Sequence, residues 1–127
     1  MEKKEKTYCP EEDGFVARIG IPASKQKFPL GRCVMTAGIA GELEASEKEE
    51  PGSRDKNITL QDVSSFIVRH ALGDWGDLCP EDLEANERAL EHGSRLFSSY
   101  ETENKSTVWV ITEWDRSATT VLFPSEY

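Results

Sequence analysis

The chain has 127 residues, enough for one domain with one modest core. At 37% hydrophobic and 31% charged it reads as globular, and no apolar run approaches the ~18–20 residues that span a bilayer. A formal net charge of −9 argues against direct binding of nucleic-acid phosphates, which needs clustered Lys and Arg.

Residues 1–30 hold Pro10, Pro22 and Pro29 with little periodicity, and are read as a partly ordered N-terminal arm. No apolar stretch follows Met1-Glu-Lys-Lys-Glu-Lys6, so no signal peptide is expected and the location is read as cytoplasmic. Cys9, Cys33 and Cys79 agree with this. They are odd in number, far apart and without a C-x-x-C pair, which fits separate reduced thiols and no metal. Gly31-Arg-Cys-Val-Met-Thr36 is a strand candidate, after which Thr36 is placed to cap a short helix reaching Leu43. Residues 44–57, with Glu-Lys-Glu-Glu-Pro-Gly-Ser-Arg-Asp-Lys, are expected as an exposed acidic connection.

Thr59 then begins a helix, with Asp62 three residues on as a capping-box partner. Leu60, Val63, Phe66, Ile67 and Ala71 follow at helical spacing, and Gly73 ends the pattern. A second helix starts at Pro80, a residue suited to the first turn, and runs to Gly93. Beyond Gly93 the period changes to two. Leu96–Tyr100, Thr107–Trp114 and Ala118–Phe123 read as strands joined by short polar turns. In the middle strand, alternation puts Val108, Val110 and Trp114 on one face, and Trp109, Ile111 and Glu113 on the other. Trp75 and Trp109 are expected to be mostly buried. The predicted fold is α+β: residues 31–127 form a single domain, an antiparallel meander of three or more strands with two helices packed on one face. The other face is expected to be half covered by the N-terminal segment.

Between the two main helices lies His70-Ala-Leu-Gly-Asp-Trp-Gly-Asp-Leu78. Two glycines, two aspartates and a tryptophan within five positions give this loop a specified shape. Its carboxylates, Asp74 and Asp77, could join His70, Glu113 and Arg116 in a metal- or phosphate-dependent active site, with His70 as general base. The bland alternative uses Asp74 and Asp77 to bond turn N–H groups, Trp75 as a core anchor and His70 at a helix C-terminus. Asp74-x-x-Asp77 departs from the EF-hand calcium spacing, and no nucleophile elbow or phosphate loop is present. No cofactor is expected.

His70-x-x-Gly-Asp-Trp-Gly-Asp-Leu78, Trp109-Val-Ile-Thr-Glu113 and Asp115-Arg-Ser-Ala-Thr-Thr-Val-Leu122 resemble a family of small plasmid-related bacterial proteins encoded on mobile elements. Gly31–Thr36 also resembles that family's opening strand. The resemblance covers residues 31–37 and 68–127. It implies a genomic context and carries no activity with it.

Charge supplies the remaining clue. Residues 1–73 hold 12 acidic and 11 basic side chains, whereas residues 74–127 hold 12 acidic against four basic, net −8. Simple solubility accounts for such a surplus, and so does a surface that engages a basic partner. The functional expectation is a non-enzymatic acidic interaction protein of a mobile element, counter-defence against a basic host protein being its sharper form. Its binding residues are read as Asp74, Trp75, Asp77, Glu84 and Glu91. The alternative is the small enzyme built around His70, Asp74, Asp77, Glu113 and Arg116.

Overall fold

A computed structural model describes residues 25–48, 58–103 and 105–127. In chain order these form strand β1 (Arg32–Met35), helices α1 (Ala37–Lys48), α2 (Leu60–Ala71) and α3 (Pro80–His92), and strands β2 (Leu96–Glu101), β3 (Thr107–Thr112) and β4 (Ala118–Leu122). A 3-10 turn, Pro124–Glu126, closes the order. The fold is α+β, as the change of period predicts.

Local signals place the boundaries. The Asp62 N–H donates to Thr59 Oγ1 and the Thr59 N–H to Asp62 Oδ2, both at 3.1 Å, which is the reciprocal box that starts α2. Pro80 opens α3 and Gly93, in the left-handed region, closes it. Helix α1 starts as expected but passes Leu43 and runs to Lys48. The acidic stretch therefore begins as helix, with Ala45 buried, because glutamate, lysine and alanine are good helix formers even without an apolar stripe. Residues 49–57 lie outside the described residues, as do residues 1–24 of the expected arm and any cover they give the sheet. Residues 28 and 30 belong to the domain: Phe28 and Leu30 are in the core, and the Lys27 N–H donates to the Ala71 carbonyl.

The sheet order is β1-β4-β3-β2. Strands β2, β3 and β4 make the expected antiparallel meander, but β1 joins β4 in parallel, so the sheet is mixed. The polar turn signals that predict hairpins say nothing of a strand whose partner lies some eighty positions on. Among the described residues three helices pack with the sheet, the expected pair α2 and α3 together with α1. Register assigns Leu96, Ser98 and Tyr100, Val108, Val110 and Thr112, and Thr119 and Val121 to one face, and all eight are buried. Trp114 does not belong to that face. Strand β3 stops at Thr112, and Trp114 stands exposed on the turn into β4. Val63, Phe66, Ile67, Ala71, Ile39 and Ala89 from the three helices join one apolar core with the sheet. The opposite face carries an aromatic run. Phe97 meets Trp109 edge-on at 4.9 Å, and Trp109 meets Tyr127 at 5.7 Å. Trp109 is thus half-buried, whereas Trp75 is fully enclosed as expected.

The chain end secures α1. The Glu126 carboxylate accepts from the Gly38 N–H at 2.9 Å, the Phe123 N–H at 3.1 Å and the Thr36 hydroxyl. It places a negative charge where the helix exposes free N–H groups. A Cβ on Gly38 would fall 2.5 Å from Glu126 Oε2, so a glycine here admits the carboxylate.

Candidate functional site

The Gly-Asp-Trp-Gly-Asp loop closes an edge of the sheet. Strand β2 is a terminal strand, so the backbone groups facing away from β3 would otherwise be left open. The Ser99 N–H donates to the Trp75 carbonyl at 3.1 Å, and the Asp77 N–H donates to the Ser99 carbonyl at 2.7 Å. Two residues earlier on the same edge, the Asn86 side chain of α3 repeats the pattern. Its amide donates to the Phe97 carbonyl at 2.6 Å and accepts from the Phe97 N–H at 3.1 Å. The edge is thus paired without another strand.

Each residue type in the loop answers to that task. Gly76 has φ +78°, and a Cβ there would lie 2.0 Å from the Ser99 carbonyl oxygen. The Asp74 carboxylate accepts from Arg69 Nε at 2.8 Å and from the Gly76 N–H at 3.2 Å, and its carbonyl accepts the Tyr100 hydroxyl at 2.6 Å. The Arg69 guanidinium holds the Asp74 carboxyl below the usual carboxylate range. Trp75 stacks on Phe28 and donates its indole N–H to Glu87 Oε2 at 3.0 Å. Asp77 is exposed and contributes its backbone N–H.

His70 lies inside the core, with no exposed surface. Nδ1 is 2.6 Å from Ser98 Oγ and Nε2 is 2.9 Å from Thr112 Oγ1, which is 2.7 Å from Thr119 Oγ1. The Thr119 hydroxyl donates to the Leu30 carbonyl at 2.6 Å. A carbonyl only accepts, so counting protons back from Leu30 orients the whole chain. Thr112 donates to Thr119, His70 Nε2–H donates to Thr112, and Nδ1 accepts from Ser98. The imidazole is neutral and fully satisfied. Burial, aided by the positive charge of Arg116, lowers its pKa from 6.5 to about 3. A group so held meets no solvent and has no acceptor free for a substrate proton.

Arg116 is equally committed. Nη1 donates to the carbonyls of Ser94, Glu113 and Trp114 at 2.6, 3.1 and 3.2 Å, and Nη2 to that of Ala89 at 3.0 Å. It caps the C-terminal end of α3 and braces the β3–β4 turn at once. Arg116 itself has φ +61°, a left-handed conformation uncommon outside glycine.

Arg116 holds the Glu113 carbonyl and acts on His70 through its charge, but the side chains of His70 and Asp74 are bonded to residues outside the candidate set. His70 is in the core, Asp74 pairs with Arg69 at the loop, Arg116 grips four carbonyls, and Asp77 and Glu113 are exposed. Among the described residues no group of three His, Cys, Asp or Glu side chains could hold a metal ion. Cys33 and Cys79 form no disulfide. Of the expected binding residues, Trp75 is enclosed in the core, so it offers no surface to a partner, whereas Glu84 and Glu91 are exposed on α3.

Those two belong to a larger set. Glu81, Asp82, Glu84, Glu87 and Glu91 are all exposed along α3. Glu84 is 3.4 Å from Arg88, an exposed pair of small consequence. Two features escape the sequence reading. Asn86 sits at helical spacing between Leu83 and Ala89, and a polar residue on an apolar stripe is a sign of a buried hydrogen bond. Trp114 stands in the turn, and its carboxylate neighbours Glu113 and Asp115 were the available clue. No helix among the described residues is long and apolar enough to cross a membrane. No protein-family model matches the chain, and no curated protein or solved structure matches it either.

Proposed function

We propose that this protein is a non-enzymatic acidic binding domain whose α3 face engages a basic protein. One observation carries the proposal. The polar groups that chemistry would need are spent inside the fold, on the His70 chain, the Arg116 brace and the covered β2 edge, while the α3 carboxylates Glu81, Asp82, Glu84 and Glu91 are exposed at the surface. Carboxylates spread along an exposed helix give a broad negative field, which steers a cationic partner and speeds association more than it deepens affinity. The motif resemblance implies a mobile-element setting, and counter-defence by engaging a basic host protein fits both.

The test uses immobilised wild-type protein and the double variant Glu84→Lys/Glu91→Lys. Both positions are exposed, so melting should change by no more than about 0.5 kcal/mol in stability per site. A basic host protein retained by the wild type should be released as salt rises, and should be retained less by the variant. Retention of the same protein regardless of salt and of charge reversal refutes the proposal.

A further inference from the structure

Charge alone does not hold a partner in one place, and a second surface feature supplies an anchor. Trp114 is 66% exposed. Single exposed apolar residues are common and need no special account. This one differs in how it is presented. The Glu113 N–H donates to the Ala118 carbonyl at 3.0 Å and the Arg116 N–H to the Glu113 carbonyl at 2.9 Å. The Ser117 N–H donates to Asp115 Oδ1 at 3.1 Å. Arg116 then ties the turn to Ala89 and Ser94, at the end of α3 that also carries Glu91. The backbone that carries the indole is thus braced, so little backbone ordering entropy is lost when something packs on the ring.

The surroundings select the occupant. Glu113 and Asp115 flank Trp114 and both are exposed. A second copy of this chain would bring another net −9 against them, and a nucleic acid would bring phosphates. A cation is favoured by the carboxylates and by the negative face of the indole alike. Of the two cationic side chains, arginine has a planar, weakly hydrated head that stacks, whereas the lysine ammonium is a hydrated point charge.

We propose that the β3–β4 turn is the anchoring point for the basic partner: an arginine of that partner stacks on the Trp114 indole, with Glu113 and Asp115 taking its charge. This rests on the acidic-domain reading above and adds the partner's chemistry and its point of attachment.

The experiment titrates the ¹⁵N-labelled protein with octa-arginine and, separately, with octa-lysine at equal ionic strength. Three indole N–H resonances report on Trp75, Trp109 and Trp114, assigned by single substitution. The Trp114 signal should move with octa-arginine while that of the enclosed Trp75 stays. Octa-arginine should bind more tightly than octa-lysine, by up to about twofold, since a lysine ammonium keeps part of the cation–π attraction. Trp114→Ala should abolish that preference and leave the melting temperature unchanged. Equal binding of the two peptides, or a preference that survives Trp114→Ala, overturns the anchor. If such binding still weakens in Glu84→Lys/Glu91→Lys, the acidic-domain reading stands without it. Failure of both peptides to bind at low salt sinks the two together.

Discussion

His70 makes the fold sensitive to acid well above the range in which carboxylates titrate. Desolvation, and secondarily Arg116, set its folded pKa at about 3, against an ordinary 6.5 in the unfolded chain. Between these values the unfolded chain binds one more proton than the folded one. Stability is therefore complete above pH 6.5 and falls as pH drops, by about 1.4 kcal/mol for each pH unit. From pH 7 to pH 5 the loss is about 2 kcal/mol, or roughly 8 °C in melting temperature at about 4 °C per kcal/mol for a chain of this size. The shifted carboxyls, Asp74, Asp115 and Glu126, have lowered folded values, so their contributions hold through this window and fail only further down. Urea unfolding at pH 7, 6 and 5 measures the slope, and His70→Gln identifies its source. The variant should be less stable at pH 7, since it disturbs the Ser98–Thr112 chain, and nearly flat from pH 7 to 5. A flat wild-type profile, or an undiminished slope in His70→Gln, would refute the account.

Gly76→Ala should destabilise by about 3 kcal/mol or more, because the new methyl meets the Ser99 carbonyl at a positive φ, and urea unfolding will show it. Trp75→Ala should cost about 3–5 kcal/mol and Trp114→Ala less than about 0.5, a contrast readable by thermal melting. Arg116→Lys should lose about 1–3 kcal/mol despite keeping the charge, since one ammonium cannot serve four carbonyls, and hydrogen exchange should rise at the end of α3. Glu126→Gln should cost about 1 kcal/mol at pH 7 by putting an amide where Gly38 and Phe123 donate. In the wild type burial works against that charge, but hydrogen bonds from Thr36, Phe123 and Gly38 outweigh it and lower the pKa. The advantage over Gln should therefore fade as pH falls through the carboxylate range.

Periodicity and caps made much of the fold legible. Thr59 with Asp62, Pro80 with Gly93, and the alternation from Leu96 to Leu122 each act within a few residues, and each is visible to someone reading along the chain. The unforeseen features join distant positions. Strand β1 lies beside β4, and Glu126 caps a helix that begins at Ala37. The Thr119 hydroxyl reaches Leu30, 89 positions away. Alternation places Trp114 on a sheet face because it does not show where a strand stops. The strand's end is set by Arg116, whose grip on Glu113 and Trp114 turns the chain.

The candidate site was harder to read for a chemical reason. A loop that covers a sheet edge and a loop that cradles an ion use the same residue types. Both need glycine for close backbone approach, carboxylates to satisfy N–H groups, and a large side chain to anchor the turn. The pattern from Gly73 to Asp77 therefore identifies a shaped loop without saying what the shape encloses. What separates the two is the direction of the donors and acceptors. Trp75 and Asp77 aim backbone groups at Ser99, and Asp74 aims its carboxylate at Arg69 and Gly76, which leaves no inward-facing set of oxygens. Residues committed to one another in this way hold the fold and are unavailable to a ligand. On the proposed reading, a partner meets exposed side chains that these contacts do not use, Glu84 and Glu91 of α3 and the indole of Trp114 among them.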